Sequence, residues 1–345
     1  LMHPAPGTAP AQSLDGEVEV VTFGCRLNAY ESEVMRRHAR AAGLQKAVVL
    51  NSCAVTAEAE RQFRQAVRRA RRDHPDATII VTGCAVQIDP ERYAAMPEVD
   101  RVLGNLEKLD PRSFQPEGVP RVVVADIMQA RETAGHLIEG FTEKTRAFIE
   151  VQQGCDHRCT FCIIPSMRGD LVSRPISDVL SEAKRLANAG VKELLVISQD
   201  TSAYGVDVKH KTGFWDGQPV KTSMLALCEA LGELGIWVRL HYVYPYPSVD
   251  EVIPLMAAGK LLPYLDIPLQ HANQRILKLM KRPGSAERTL ERIRKWREIC
   301  PQLTIRSTFI VGFPGETEEE FQELLQFLRD AQLDRVGCFT YSDVE

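Results

Sequence analysis

The sequence has no run of about 18 apolar residues, the length that a membrane-spanning helix requires. It has little net charge, because 42 Lys and Arg stand against 46 Asp and Glu, a formal charge of −4. Overall charge therefore does not favour nucleic-acid binding, although a local basic patch remains compatible with it. The start of the chain lacks the apolar segment of a secretory signal, and we expect residues 1–16 to form a disordered tail. We predict a cytoplasmic protein without a membrane partner.

Cysteine is scarce and odd in number, with nine among 345 residues, which excludes a disulfide-stabilised scaffold. The length suffices for two domains with cores of their own. Cys228, Cys300 and Cys338 lie in apolar patterns, and we predict that they are small buried hydrophobic residues. The other six cysteines lie in two groups that need a different explanation.

The N-terminal part alternates between short apolar runs and amphipathic stretches. This alternation predicts a parallel sheet with helical crossovers in an α/β domain over 17–125, followed by a linker over 126–143. The predicted strands are 19–24, 47–52 and 77–83, and the predicted helices are 29–42 and 57–73.

A second alternation fills residues 144–345 and predicts an incomplete (β/α)6 barrel. Thr317 and Glu320 have the spacing of a capping box at the last helix. The predicted strands are 147–153, 192–199, 236–244, 264–269, 303–312 and 335–341. The predicted helices are 176–189, 222–234, 249–258, 285–299 and 317–331.

Three cysteines directly follow the first predicted barrel strand, in the pattern Cys155-x-x-x-Cys159-x-x-Cys162. A zinc site of three cysteines and His157 has compatible ligands. An iron–sulfur cluster is the alternative, and three thiolates on a four-iron cluster would leave one iron open. The carboxyl ends of barrel strands are where such folds place their chemistry.

Cys25, Cys53 and Cys84 form the second group, and each immediately follows a predicted strand. They are 28 and 31 residues apart, which is the length of one strand–helix repeat. Parallel strands end at the same edge of a sheet, so these thiols are predicted to converge there.

The spacing and strand-end position of the cysteines at 155–162 resemble the radical S-adenosylmethionine (SAM) superfamily. The motifs "ISQD" (197–200), "PLQ" (268–270) and "FIVGFPGE" (309–316) fit the same resemblance. It implies a 4Fe-4S cluster whose open iron binds SAM, with the radical generated there and no catalytic side chain. The implied SAM-contacting residues are Ser198, Gln199, Asp200, Gln270, Arg306, Gly312 and Gly315.

The N-terminal motifs "TFGCRLNAYESE" (22–33), "NSCAVT" (51–56) and "TGCAVQ" (82–87) resemble those of the methylthiotransferases within this superfamily. The resemblance implies a second 4Fe-4S cluster on Cys25, Cys53 and Cys84, and the insertion of SCH3 into an unactivated C–H bond. It also implies a reductant such as flavodoxin or ferredoxin. We expect the C-terminal β-barrel (TRAM) module of that family to be absent from residues 1–345.

The two parts of the chain resemble different methylthiotransferases. The N-terminal third is similar to enzymes that modify threonylcarbamoyl-adenosine in tRNA, and the arginine-rich helix at 61–72 could contact phosphates. From Cys159 onward the chain is similar to enzymes that modify the β-carbon of an aspartate in a small-subunit ribosomal protein. We favour the ribosomal-protein substrate over tRNA. An iron–sulfur scaffold or electron carrier without SAM chemistry is the alternative from another class.

Overall fold

The computed structural model describes residues 18–54, 56–130 and 145–343. Contacts divide the chain into two compact units. Among the described residues, unit one comprises 18–54, 56–130 and Ile163–Asp170, and unit two comprises 145–162 and Leu171–Asp343. Ile163–Asp170, which the sequence pattern assigns to the barrel, thus packs with unit one. The predicted tail over 1–16 and residues 131–143 of the predicted linker lie outside the described residues.

Unit one contains a sheet of five parallel strands in the order β1-β2-β3-β4-β5. This confirms the predicted parallel α/β sheet. The strands are β1 (Val18–Thr22), β2 (Ala47–Ser52), β3 (Thr78–Gly83), β4 (Arg101–Leu103) and β5 (Val122–Val123). The helices are α1 (Arg26–Ala41), α2 (Ala57–Asp73), α3 (Cys84–Ile88), α4 (Pro90–Ala94) and α5 (Ile164–Arg168).

The core of unit one follows from the sequence pattern. Every residue of β2 is buried, as expected for a parallel strand that is covered on both faces. Thr56 caps the N-terminus of helix α2, because its hydroxyl accepts a hydrogen bond from the Ala59 backbone N–H at 3.2 Å. Its apolar side chains, among them Phe63 and Val67, are buried in the core of the sheet unit.

Unit two contains six parallel strands in chain order, with β6-β9-β12 as one sheet and β13-β14-β15 as another. The Leu262 N–H, just before β13, donates a hydrogen bond to the Val238 carbonyl of β12 at 2.9 Å. This bond connects the two sheets, as the predicted incomplete barrel requires. The strands are β6 (Arg146–Glu150), β7 (Gln152–Gln153), β8 (Val172–Ser173), β9 (Glu193–Ile197), β10 (Thr212–Trp215), β11 (Gln218–Lys221), β12 (Trp237–Leu240), β13 (Tyr264–Asp266), β14 (Thr304–Val311) and β15 (Arg335–Thr340). The helices are α6 (Ile176–Asn188), α7 (Met224–Gly232), α8 (Ile253–Ala257), α9 (Gln274–Leu279), α10 (Ala286–Ile299) and α11 (Glu318–Ala331).

Helix α11 begins with the predicted capping box, in which Thr317 and Glu320 each bond the other's backbone N–H. The single helix predicted over 249–258 is wrong. A 3-10 helix over Pro247–Glu251 precedes α8, because Pro254 has no N–H to donate to the preceding turn.

Two cysteine predictions are confirmed and one is wrong. Cys228 and Cys300 are buried, whereas Cys338 is exposed. Cys338 lies on β15, which pairs with β14 and ends its sheet, and most residues of that strand are exposed. In the part of the chain that the structure describes, no helix is both long and apolar enough to cross a membrane.

Candidate functional sites

The barrel cysteines lie in a loop that other parts of unit two hold in place. Cys155 and Cys159 are buried, and Cys162 is half-buried. The Cys162 N–H donates to the Cys159 carbonyl at 3.0 Å, which closes a tight turn between these two thiols. Thr160 bonds the end of α9, with its hydroxyl 2.9 Å from the Leu279 carbonyl. The loop is thus a fixed ligand platform at the carboxyl end of the first barrel strand.

His157, inside this loop, is a structural anchor. Its Nε2 lies 2.9 Å from Oδ2 of the buried Asp200. Its ring stacks on Tyr244 with centroids 3.8 Å apart and planes 11° from parallel. The Arg282 guanidinium covers Tyr244 at 4.0 Å from the ring centroid. Because Nε2 of His157 is hydrogen-bonded to Asp200, this nitrogen is not free to be the fourth ligand of a zinc ion.

Asp200, predicted to contact SAM, has its carboxylate occupied by protein groups. Oδ1 accepts from the Ser202 N–H at 3.0 Å and from the Tyr244 N–H at 3.2 Å, while Oδ2 bonds His157. Ser198, the second residue of the same predicted motif, is buried and its hydroxyl is hydrogen-bonded to the Thr201 hydroxyl at 2.9 Å. In this structure the two side chains therefore support the cysteine loop and its surroundings.

The Cys155 thiol shows how closely the loop is packed. Burial raises the pKa of Cys155 to about 12, and the nearby charges of Asp200, Cys162 and Cys159 act in the same direction. The three thiols of the loop are therefore electrostatic neighbours. A metal or cluster that binds here must displace a proton from Cys155.

Buried amide oxygens lie shortly after the ends of three barrel strands, β6, β9 and β13. Within residues 145–343, Oε1 of Gln152, Gln199 and Gln270 is buried without a hydrogen-bond partner. Gln270 has a φ of +72°, a conformation that non-glycine residues rarely adopt. Buried acceptors without donors are costly, and a ligand with N–H and O–H groups would satisfy them. SAM carries an ammonium group, ribose hydroxyls and an adenine amine, so these oxygens fit it.

The Gly-rich turn after β14 leaves open space beside its backbone. Gly312 and Gly315 have φ values of +72° and +82°, and a Cβ on either would meet no atom within 4 Å. The Glu316 carboxylate accepts from the Gly312 N–H at 2.5 Å and the Phe313 N–H at 3.0 Å. The turn is therefore held by its own chain, and the space beside it is compatible with a ligand.

Arg306, predicted to pair with the SAM carboxylate, bonds a protein carboxylate here. Its Nη1 lies 2.9 and 3.0 Å from the two oxygens of Asp266. Asp266 is fully buried and also bonds His241 Nδ1 at 3.0 Å. Arg306 thereby compensates a buried charge between β13 and β14.

A cavity of about 690 Å³ lies beside the cysteine loop and within unit two. This volume is in the range of small-molecule sites. Its lining includes Cys155, His157, Asp200, Met224, Tyr246 and Glu251.

The second cysteine group lies at the carboxyl edge of the sheet in unit one. Cys25 precedes α1, Cys53 follows β2, and Cys84 begins α3 directly after β3. A Cβ on Gly24 would lie 2.8 Å from the Cys53 sulfur, so the backbone before Cys25 packs directly on that side chain. Gly83, before Cys84, has a φ of +98° and no room for a Cβ against the Ser52 backbone at 2.5 Å.

The charges around this group were missed by sequence reasoning. Arg168 donates to both oxygens of Glu31 and, at 2.6 Å, to Asn28 Oδ1. The Lys108 ammonium bonds Glu31 Oε2 at 2.7 Å. All four side chains are buried. Although burial opposes it, the two cations hold the pKa of Glu31 below its ordinary value.

The thiols of unit one act on this charged group and on each other. Desolvation by the surrounding protein raises the pKa of the Cys25 thiol, Arg168 opposes the rise, and Cys84 adds to it. Burial lowers the pKa of Arg168, but Cys84, Glu31 and Cys25 together raise it well above its ordinary value. Because Cys25 is exposed by its accessible surface, the desolvation of its thiol is weaker than that of a buried cysteine. Two thiols and a buried arginine therefore share one electrostatic environment.

Both cysteine groups offer the donors that an iron–sulfur cluster requires. Among the residues that the structure describes, no three Cys, His, Asp or Glu side chains are placed to hold one metal ion. That finding concerns a single ion, whereas in a four-iron cluster each thiolate binds a different iron. Each group places three thiols on fixed loops, which fits a four-iron cluster. Buried positive charge lies beside the cysteines of unit one, and the unsatisfied amide oxygens near the barrel cysteines fit SAM.

Comparison with known families identifies the class of protein. The profile of the Radical SAM superfamily matches residues 149–328, more than half of the chain. The profile described as uncharacterized protein family UPF0004 matches residues 17–104. Among solved structures, the radical SAM methyltransferase TsrM from Kitasatospora setae superposes with a TM-score of 0.62 at 15% identity, covering 94% of this chain and 71% of TsrM. That likeness concerns the fold, and together these matches define a radical SAM protein.

Relatives of higher identity specify the family. The ribosomal protein uS12 methylthiotransferase RimO of Proteus mirabilis is 55% identical over 337 residues, covering 95% of this chain and 75% of the relative. RimO of Klebsiella pneumoniae is 54% identical over 343 residues, with the same shares covered. The chain belongs to the RimO family of radical SAM methylthiotransferases. The predicted family is confirmed, and the aligned length includes the N-terminal third that resembles the tRNA-modifying type.

Proposed function

We propose that this protein inserts a methylthio group at the β-carbon of an aspartate in ribosomal protein uS12. One observation carries the proposal: a single chain presents two groups of three cysteines, each at the carboxyl ends of parallel strands. A relative that is 55% identical is named for the uS12 reaction. Because all six of these cysteines lie in described parts of the chain, each can be tested by substitution.

Under this proposal, Cys155, Cys159 and Cys162 hold one 4Fe-4S cluster, and Cys25, Cys53 and Cys84 hold the other. When bound, the clusters and SAM supply radical chemistry that no acid–base side chain can perform on an unactivated C–H bond. The protein's own task is to position the clusters and the substrate carbon relative to one another and to exclude water from the site. His157 and Asp200 fix the barrel loop, and the open amide oxygens of Gln152, Gln199 and Gln270 would orient SAM.

The arginine-rich helix α2 favours the ribosomal protein over tRNA as substrate. Arg61 pairs with Glu58 at 2.6 Å, and Arg71 pairs with Asp100 at 2.5 Å. Longer pairs follow the same pattern, Arg64 with Glu60 at 3.5 Å and Arg68 with Glu98 at 3.9 Å. Acidic neighbours thus offset much of the charge that phosphate binding would use. We further propose that the protein works in the cytoplasm with a flavodoxin or ferredoxin as reductant.

The experiment supplies the anaerobically reconstituted protein with SAM, a reductant and either uS12 or tRNA. Mass spectrometry should find a gain of about 46 Da, the mass of CH2S, on an aspartate-containing peptide of uS12. Deoxyadenosine release is measured in the same samples. A gain on tRNA alone would overturn the substrate, and absence of deoxyadenosine would favour a non-catalytic iron–sulfur protein.

Matched variants separate the roles of the two cysteine groups. Replacing Cys155, Cys159 and Cys162 by alanine should abolish deoxyadenosine release. Replacing the cysteines of unit one should retain that release but abolish the mass gain. Cys228→Ala, which alters a buried thiol of α7, should leave both signals intact.

A further inference from the structure

The buried charges of unit one do not cancel. Arg168 and Lys108 carry two positive charges and Glu31 carries one negative charge, which leaves one positive charge in the group. Lys108 and Glu31 have no exposed side-chain surface, and Arg168 is 3% exposed. A buried charge is costly unless an opposite charge lies near it. The excess positive charge therefore calls for an anion in this part of the molecule.

The cysteine site of unit one lies beside the charged group and is the source of this anion. Burial lowers the pKa of Arg168, whereas the nearby Cys84 and Cys25 thiols raise it; burial also lowers the pKa of Lys108, and Glu31 and Cys84 oppose that effect. Asn28 connects the two features, because its Nδ2 donates to the Ser52 carbonyl at 2.8 Å, next to Cys53, while its Oδ1 accepts from Arg168. The cysteine site and the charged group are thus in one hydrogen-bonded network.

We propose that Arg168, Glu31 and Lys108 form the counter-charge of the N-terminal cysteine site and set the stability and reduction potential of the cluster bound there. The proposal rests on the proposed function, since it assumes a cluster on Cys25, Cys53 and Cys84. Three thiolates carry three negative charges and a 4Fe-4S core in its 2+ state carries two positive ones, so the bound cluster has a net charge of −1. The group's +1 charge matches it.

Arg168 is the central member of the counter-charge and a positioning residue. It ends α5, within the segment Ile163–Asp170 that directly follows Cys162 in sequence and packs with unit one. Its planar guanidinium donates hydrogen bonds to Glu31 and Asn28 at the same time, a geometry that a lysine ammonium cannot reproduce. Charge and geometry can therefore be separated by substitution.

The test measures the reduction potential and iron content of the N-terminal cluster in full-length protein whose barrel cysteines are replaced by alanine. Arg168→Gln and Lys108→Met each lower the group's charge from +1 to 0, and both should lower the potential. A tenfold shift in the reduction equilibrium corresponds to about 59 mV for one electron. Glu31→Gln raises the charge to +2 and should raise the potential.

Controls distinguish charge from general disruption. Arg168→Lys keeps the charge, so its potential should stay near that of the parent even if iron binds less tightly. Arg101→Gln alters another buried arginine of unit one, whose Nη1 bonds the Ser113 carbonyl at 2.8 Å, and should leave the potential unchanged. Circular dichroism checks folding, and opposite shifts in Glu31→Gln and Lys108→Met support the proposal even if Arg168→Gln fails to fold.

The outcomes separate this inference from the proposed function. If the parent with its barrel cysteines replaced binds no cluster, the two-cluster function is wrong and the inference falls with it. If the cluster binds but the folded variants at Arg168, Lys108 and Glu31 all have the same reduction potential as the parent, only the counter-charge inference is wrong. Shifts of the same sign in Glu31→Gln and Lys108→Met would also overturn it.

Discussion

The imidazole of His157 lies flat on the phenol ring of Tyr244, with centroids 3.8 Å apart. The two residues belong to different loops, one within the cysteine motif and the other after β12. The stack continues to the Arg282 guanidinium, and Asp200 bonds the histidine from the side. These contacts hold the loop with the three barrel thiols in one conformation.

His157→Ala should loosen the barrel cysteine loop. The change removes the stack and the bond to Asp200, and an aromatic pair of this kind contributes about 0.5–1.5 kcal/mol. We expect faster loss of iron from the barrel cluster to a chelator and faster hydrogen exchange over 155–162. Tyr246→Phe is the control, because it removes only a 3.4 Å contact from the Tyr246 hydroxyl to His157 Nε2. Equal iron loss in the two variants would contradict this role for His157.

Gly83→Ala should destabilise unit one more than Gly43→Ala. Both glycines have positive φ, so alanine at either is strained by about 1–2 kcal/mol. At Gly83 the added Cβ would also lie 2.5 Å from the Ser52 backbone, whereas at Gly43 it would meet nothing within 4 Å. Chemical denaturation measures the difference in the free energy of unfolding. Similar values for the two variants would show that the edge of the sheet near Cys84 is looser than described.

Acid should weaken unit one through Glu31. Its folded-state pKa lies below the ordinary value of 4.5, so the folded state binds fewer protons than the unfolded state near that pH. The stabilisation is complete above pH 4.5 and is lost as the pH falls through the folded pKa. Glu31→Gln should remove this part of the pH dependence in denaturation curves. An unchanged pH profile in the variant would contradict the prediction.

Gln199→Ala should have opposite effects on stability and on SAM binding. The variant removes a buried oxygen without a partner, so the apoprotein should keep or gain stability. If that oxygen accepts a hydrogen bond from SAM, affinity should fall about 2- to 10-fold. Calorimetric titration and thermal unfolding measure the two quantities. Gln218→Ala, an exposed glutamine on β11, is the control, and unchanged affinity in Gln199→Ala would exclude this contact.

Strands and strand-end cysteines were predictable because they leave local patterns. Apolar runs marked β1–β3 and the barrel strands, and Cys25, Cys53 and Cys84 repeated one position in successive units. The β10–β11 hairpin had a signal that was overlooked: Asp216-Gly217 forms its turn, with φ values of 45° and 77°. That dipeptide is a strong hairpin indicator.

The charged group beside the N-terminal cysteines could not be predicted in the same way. Arg168 and Glu31 are separated by 137 residues, and neither has a local pattern that indicates burial. Charged residues are mostly exposed, so sequence composition favours the surface for all three members of the group. Similarly, nothing in the motif around Asp200 indicated that its carboxylate would be bonded by His157 and Tyr244.

The most direct test of the two-cluster account is anaerobic Mössbauer spectroscopy with iron analysis on three proteins. These are the wild type, the variant without Cys25, Cys53 and Cys84, and the variant without Cys155, Cys159 and Cys162. The account predicts two 4Fe-4S clusters in the wild type and half of its iron in each variant. A single cluster per wild-type chain, or tetrahedral zinc at either group of cysteines, would contradict it.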